Sequence, residues 1–278
     1  MKTTRILFGF WHGIGDLILA TPSFRQYQAI HPDTKMSIAV SKSLLSSGLL
    51  DFCPYFEHKL EIPSVWESGI ESIEEAIEPY KTTYGFDAIK LIHQSPYYRY
   101  GIHKIERTAR EMGVYPLKNT ETEIFLDLKH EQEALQWLKE NNLIQNKYIF
   151  LNRKSAFFEK ELPKEMAMNF IQKKFPELPV VEPCVSFPLQ HINFTFAILK
   201  HAAKVVVVDS AMMHAADALK KPIDFAYFAI RPGIVDEVKP RNVTCNCVES
   251  DTIKKWHLKL RKKIGMQCRW LLNQCLSH

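Results

Sequence analysis

Short apolar runs alternate with longer amphipathic stretches along most of the chain, and no other feature constrains its fold as strongly. In the first part, the predicted strands cover residues 6–10, 36–40, 58–62 and 86–92. The predicted helices cover residues 16–30, 44–50, 68–80, 103–112 and 131–141. Because strands joined through helices pair in parallel and are covered on both faces, the alternation predicts an α/β fold.

The alternation starts again after Asn142. In this second part, the predicted strands cover residues 148–152, 180–181, 205–208 and 223–228. The predicted helices cover residues 164–175, 194–203 and 212–219. The restart predicts two Rossmann-like domains that face a central cleft: an N-terminal domain over residues 1–142 and a C-terminal domain over residues 143–278.

Composition and charge narrow the classes of function. Of the 278 residues, 46 % are hydrophobic and 24 % charged, which excludes a disordered or fibrous chain. The net charge of +5 suits anionic ligands such as nucleotides and phosphosugars, but it is too small to indicate nucleic-acid binding. The first apolar run is broken by WHGIGD at residues 11–16, so it predicts a buried strand rather than a signal peptide. No run approaches the ~18 apolar residues of a membrane-spanning helix, and we therefore expect a soluble, cytoplasmic protein.

A glycine loop follows the first predicted strand. Open α/β sheets bind ligands beyond the carboxyl ends of their strands. Gly13 and Gly15 let the backbone approach a ligand closely, and a carboxylate at a helix start, Asp16, stays ionised beside the helix dipole. From spacing alone, the preferred interpretation is that Asp16 is a helix cap. The loop lacks the G-x-G-x-x-G spacing of a dinucleotide fingerprint.

A second candidate site follows the valine strand at residues 205–208. Asp209 and Ser210 open a helix there, and a helix start with unpaired backbone N–H groups suits a diphosphate. His214 lies within the first turns of this helix, where it either points into the cleft or packs as a structural residue. Ala211, Met212 and Met213 lie between Ser210 and His214, and Ala211 and Met212 are further candidate site residues.

Four blocks of sequence, in order, resemble glycosyltransferase family 9, the ADP-heptose:lipopolysaccharide heptosyltransferases. They are GDLILATP at residues 15–22, HPD at 31–33, KELP at 160–163, and the segment 194–222 with its DSAMMHAADAL run. Leu162 stands where the family usually has tryptophan, and Ala211 where it has glycine. The resemblance covers most of the chain.

The resemblance implies a GT-B fold, with the acceptor on the N-terminal domain and the donor on the C-terminal one. It implies that Asp16 is the general base and that Lys160 neutralises the leaving diphosphate. If Asp16 is only a helix cap, His12 is the alternative base. It also implies that Asp209, Ser210 and His214 frame the nucleotide-sugar site. We further expect substrate-binding residues at His12, Gly13, Gly15, Ala211 and Met212. Transfer would invert the anomeric centre without a metal.

The function that follows is transfer of a heptose-like sugar from a nucleotide sugar to a saccharide, lipopolysaccharide-core, glycolipid or protein acceptor. Two alternatives stay open: a GT-B transferase with a different nucleotide donor, and a catalytically inactive nucleotide-binding or assembly protein on the same fold.

Cysteines and basic residues are concentrated near the C-terminus. Four thiols can supply one tetrahedral structural zinc or iron site, or they can be unpaired thiols; they belong to Cys245, Cys247, Cys268 and Cys275. The basic segment 254–263 contains Trp256 and Leu260 at helical spacing. This segment can lie on the anionic inner face of a membrane, or pack on its own domain by the apolar stripe.

Overall fold

The computed structural model describes residues 3–63, 72–93, 102–155, 160–187, 191–229 and 234–249. Within these ranges the strands form two sheets, and every strand pair within a sheet is parallel. None of the helices described there has both the length and the apolar character needed to span a bilayer.

The first sheet has four strands in the order β3-β2-β1-β4. Its strands are β1 (Thr4–Phe10), β2 (Thr34–Val40), β3 (Phe56–Glu61) and β4 (Ala88–Leu91). The accompanying helices are α1 (Ile14–Ile30), α2 (Lys42–Leu45), α3 (Ile73–Tyr84) and α4 (Lys104–Glu111). The last five residues of β1 and of β2 are buried, as expected for central strands covered on both faces.

The second sheet has five strands in the order β6-β5-β7-β8-β9. Its strands are β5 (Ile149–Asn152), β6 (Val180–Val181), β7 (Lys204–Val208), β8 (Ile223–Phe228) and β9 (Cys245–Glu249). The helices in this part are α5 (Leu128–Glu140), α6 (Lys164–Lys174), α7 (Ile192–Lys200), α8 (Ala211–Ala218) and α9 (Ile234–Val238). The valine run of β7 is fully buried at the centre of the sheet.

Several elements differ from the sequence-based prediction. The helix predicted over residues 44–50 is wrong in extent, because α2 ends at Leu45 and Gly48 adopts a φ of +81°, which a helix excludes. The acidic helix begins at Ile73, where the Ser72 side chain accepts a hydrogen bond from the Glu75 backbone N–H, and residues 68–71 lie outside the described ranges. Both β9 and α9 were absent from the prediction.

Helix α5 precedes the predicted domain boundary but packs beside the second sheet. Its Glu131 pairs with Lys200 of α7 at 2.7 Å. The Trp137 ring contacts Phe187 and Phe194, with centroid distances of 5.2 and 6.4 Å. The boundary at residue 142 stays a prediction.

Candidate active site

The order of the strands places one opening at the carboxyl edge of each sheet. In the first sheet the chain moves from β1 outward to β3 on one side and to β4 on the other, so the switch point lies beside β1. In the second sheet the switch point lies between β5 and β7. Ligand sites of open α/β sheets form at such points. The loop that contains Gly13 and Gly15 follows β1, and the Asp209-Ser210 pair follows β7.

Both switch points open into one cleft of about 530 Å³. From the first sheet it is lined by His12, Gly13, Ile14, Gly15, Asp16, Ser41, Ser43, Leu44 and Lys104. From the second it is lined by Asn152, Lys154, Ser155, Lys160, Glu182, Pro183, Cys184, Thr195, Asp209, Ser210, Ala211, Met212 and His214. Every residue predicted for the transfer site therefore lines a single cleft, whereas Cys245 and Cys247, the two described cysteines of the predicted metal site, are not among its lining residues.

Asp16 does not cap α1. The N-cap residue is Gly13, and Asp16 lies in the first turn with 21 % of its side chain exposed. Its Oδ1 accepts a hydrogen bond from Lys104 Nζ at the start of α4. Burial opposes ionisation of Asp16, but Lys104, with smaller contributions from His12 and His214, holds the pKa of the carboxyl below its usual value. Asp16 is therefore ionised at neutral pH, as a general base must be.

His12, the alternative base, lies at the end of β1 and donates a hydrogen bond from Nε2 to the backbone oxygen of His93 after β4. Its ring stacks on Trp11, with centroids 5.2 Å apart. Burial lowers the pKa of His12, although the nearby Asp16 raises it. The imidazole is therefore neutral at pH 7 and contributes no charge opposite Asp16.

Lys160 and Asp209 form an ion pair on the other side of the cleft. Lys160 Nζ lies 2.8 Å from Asp209 Oδ2, and only 18 % and 8 % of the two side chains are exposed. The segment is held to the sheet because Leu162 donates a backbone hydrogen bond to Arg153 and buries its side chain completely. Leucine at this position thus anchors Lys160 by packing into the core.

Ser210 precedes α8 but does not cap it with its side chain. Its Oγ instead accepts a hydrogen bond of 3.0 Å from Asn152 Nδ2 at the end of β5. This bond ties the two central strand ends together. The start of α8 faces the cleft with Ser210, Ala211 and Met212 in the lining, and this arrangement suits an anionic group.

Helices α1 and α8 touch at their N-terminal ends. A Cβ atom on Gly15 would lie 2.7 Å from His214 Cδ2 and 3.3 Å from Ala211 Cα. The role of Gly15 is therefore to allow close packing between the two sheets' helices. His214 is buried, and burial lowers its pKa to about 4, so its imidazole is neutral. Its Nδ1 has no hydrogen-bond partner within the described ranges.

Two site residues escaped the sequence analysis. Lys104 reaches Asp16 from 88 residues away, and nothing in the local sequence around a helix start signals such a contact. Asn152 was detectable, since it is the last residue of β5 and the strand beside it, β7, ends at the Asp-Ser pair. The rule that ligands bind at the carboxyl ends of parallel strands applies to β5 as it does to β7.

The cysteine cluster is only partly described. Cys245 and Cys247 lie on β9, two residues apart on one face of an edge strand, with their Sγ atoms 3.4 Å apart. Cys268 and Cys275 lie outside the described residues. In those that are described, no group of three or more metal-ligating side chains occurs. Two thiolates on one tetrahedral zinc would be roughly 3.8 Å apart, farther than the observed pair, and the four-thiolate site stays a prediction.

Comparisons with known proteins complete the description. The sequence matches no model of a known protein family and no curated protein. The fold is similar to the crystal structure of a glycosyl transferase family 9 protein from Veillonella parvula DSM 2008, with a TM-score of 0.71, 14 % identity, and coverage of 94 % of this chain and 91 % of that one. It is also similar to ADP-heptose lipopolysaccharide heptosyltransferase II from E. coli, with a TM-score of 0.63, 12 % identity, and coverage of 90 % and 93 %.

A third similar structure is E. coli heptosyltransferase WaaC with ADP, with a TM-score of 0.57, 14 % identity, and coverage of 90 % of this chain and 94 % of that one. The predicted fold class, two Rossmann-like units of the GT-B type, is confirmed. The resemblance to glycosyltransferase family 9 drawn from the four sequence blocks is likewise confirmed in fold.

Proposed function

We propose that this protein is an inverting glycosyltransferase that moves a heptose-like sugar from a nucleoside-diphosphate donor to a hydroxyl acceptor. One observation carries the proposal: the ionised Asp16 beside the first sheet and the cationic Lys160 beside the second line the same cleft. Sugar transfer requires a base for the acceptor and a positive charge for the leaving group, and these two residues supply them from opposite walls.

The second-sheet wall is the proposed donor side. A diphosphate placed at the start of α8 meets the positive end of the helix dipole and backbone N–H groups. Lys160 lines the same cleft, and its ammonium group, paired with Asp209 at 2.8 Å, would exchange that carboxylate for a phosphate oxygen of the donor. The similarity to an E. coli heptosyltransferase that binds ADP supports an adenosine diphosphate donor. Because lysine and the helix start supply positive charge, we propose that transfer needs no metal ion.

The first-sheet wall is the proposed acceptor side. Asp16 takes the proton from an acceptor hydroxyl as that oxygen attacks the anomeric carbon of the donor. A new C–O bond forms, the bond from that carbon to the diphosphate oxygen breaks, and the nucleoside diphosphate leaves with both electrons. Attack opposite the leaving group inverts the anomeric centre. Ser41, directly after β2, and Ser43, in α2, offer hydroxyl groups to a saccharide on this wall.

The proposed function also includes the class of acceptor and the place in the cell where the protein acts. We propose a saccharide, lipopolysaccharide-core, glycolipid or protein acceptor and a cytoplasmic protein. A peripheral contact with the inner membrane would be made by the basic segment 254–263, which lies outside the described residues. The net charge of +5 favours the binding of an anionic ligand such as a nucleotide sugar.

The test is a binding screen followed by a transfer assay. ADP, UDP, GDP and ADP-heptose are titrated against the protein while its thermal unfolding is monitored. A donor that binds the folded state alone stabilises it by about 2.7 kcal/mol at one hundred times its dissociation constant. ADP and ADP-heptose should raise the melting temperature, and ADP-heptose should release ADP in the presence of saccharide acceptors. Binding without transfer to any acceptor would favour the inactive alternative, and binding of no nucleotide would contradict the proposal.

A further inference from the structure

The ion pair between Lys104 and Asp16 joins two distant parts of the chain inside the cleft. Lys104 is the first residue of α4, and its Nζ donates to Asp16 Oδ1. Only 23 % of the Lys104 side chain and 21 % of the Asp16 side chain are exposed. Both residues line the cleft. The cation is thus built into the wall that carries the proposed base, rather than placed on an open surface where such pairs contribute little.

Helix α4 is fixed by contacts to the chain that follows the second sheet's β8. The N-cap residue His103 is buried and donates from Nε2 to the backbone oxygen of Lys239 at 3.0 Å. One turn later, Arg107 pairs with Glu237 of α9 at 3.3 Å, and 7 % and 2 % of these two side chains are exposed. These contacts hold the first turn of α4 in place, and therefore hold the backbone from which Lys104 extends.

Three titratable groups face Asp16 within the described residues. They are His12 from the loop after β1, His214 from α8 and Lys104 from α4. Burial lowers the pKa of both histidines, to about 4 for His214, so both are neutral at pH 7. Of these three groups, Lys104 alone carries a full charge at neutral pH. It also donates a hydrogen bond directly to one carboxylate oxygen of Asp16.

We propose that Lys104 is a positioning residue for Asp16, holding its carboxylate ionised and oriented toward the acceptor hydroxyl. The inference rests on the proposed function, in which Asp16 is the base. Burial alone would favour the protonated carboxyl, which cannot accept a proton. Lys104 offsets the unfavourable effect of burial on the charged carboxylate, although it also makes Asp16 a weaker base. Because α4 is anchored through His103 and Arg107, the backbone that carries Lys104 stays in place beside Asp16. The second sheet's trailing segment thereby stabilises the base on the first sheet.

The test compares Lys104→Gln, Lys104→Arg and a control, Lys200→Gln. Lys200 forms an ion pair of similar length with Glu131, away from the cleft, so its loss reports a merely structural effect. The Asp16 carboxyl is followed by ¹³C NMR titration, assigned by its loss in Asp16→Asn. The acid limb of the pH–rate profile is measured for the same proteins. Thermal unfolding of each variant shows that it is folded.

In Lys104→Gln the Asp16 titration and the acid limb should both move to higher pH. Transfer at pH 6 should fall by up to roughly 100-fold, as expected when a catalytic group is misplaced or protonated. Lys104→Arg should restore most of the wild-type profile, and Lys200→Gln should match wild type. An unchanged Asp16 titration in Lys104→Gln would overturn the proposal. If no protein shows transfer, the proposed function fails, yet the NMR titration still decides whether Lys104 controls Asp16.

Discussion

Gly15 of α1 and His214 of α8 are in contact where the helices of the two sheets meet, and a Cβ atom on Gly15 would lie 2.7 Å from His214 Cδ2. The same Cβ atom would lie 3.3 Å from Ala211 Cα. The ring of His214 is buried, so it has little room to move. This contact sets how closely the base-bearing helix approaches the donor-side helix.

Gly15→Ala should therefore destabilise the protein by about 1–3 kcal/mol, the usual cost of overpacking. The direction of the change in unfolding free energy is informative, because alanine is a better helix former than glycine and, without the close contact, would stabilise α1. The control is Gly13→Ser, which adds a side chain at the N-cap, where a Cβ meets only Asp16 Oδ2 at 3.9 Å and serine is a favoured cap. Urea unfolding measures both. Equal stability of Gly15→Ala and wild type would show that the helices separate freely.

Lys160→Met should weaken binding of ADP by roughly 10- to 100-fold, because a hydrogen bond to a charged group contributes about 1.5–3 kcal/mol. Isothermal titration calorimetry measures the change. Lys200→Met removes a lysine outside the cleft and should leave the affinity unchanged. An unaltered dissociation constant in Lys160→Met would place the diphosphate elsewhere.

The stability of the protein should fall as the pH decreases from about 6.5 to about 4. Burial lowers the pKa of His103 and of His214 to about 4, so the unfolded chain binds protons in this window that the native state does not. Each histidine changes the unfolding free energy by at most about 1.4 kcal/mol per pH unit. His214→Gln should reduce the slope of the unfolding free energy against pH in this window. Above pH 7 the unfolding free energies of His214→Gln and wild type should differ by a constant amount. A wild-type free energy that is flat between pH 6.5 and 4.5 would contradict neutral burial of these rings.

Protein purified without chelator should contain roughly one zinc or iron per chain, as a four-thiolate site requires. Elemental analysis measures this, and Cys247→Ser should lose the metal. Cys184→Ser removes an exposed thiol elsewhere and should retain it. Native protein with no metal, whose four C-terminal thiols all react with a thiol reagent, would rule out the site.

Local patterns in the sequence predicted most strands and helices, since apolar runs such as residues 205–208 determine burial directly. They also placed Asp16 and Asp209 at strand ends that the fold brings to one cleft. The strand β9 was missed because its alternating, half-buried residues resemble a loop. The Lys104 contact was missed because it depends on how α4 packs against α1, which no local pattern encodes.

The central claim is that Asp16 is the base for sugar transfer, and Asp16→Asn tests it most directly. Asparagine keeps the size of the side chain and an oxygen that can accept from Lys104, but it removes the basicity, so the protein should stay folded, with some loss of stability, and its ADP affinity should barely change. Asp33→Asn, an exposed position before β2, is the control and should transfer normally. Release of nucleoside diphosphate, measured with the mass of the glycosylated acceptor, should fall by at least ~10²-fold in Asp16→Asn. Near-normal transfer by a folded, donor-binding Asp16→Asn would contradict the account and move the base to His12 or elsewhere.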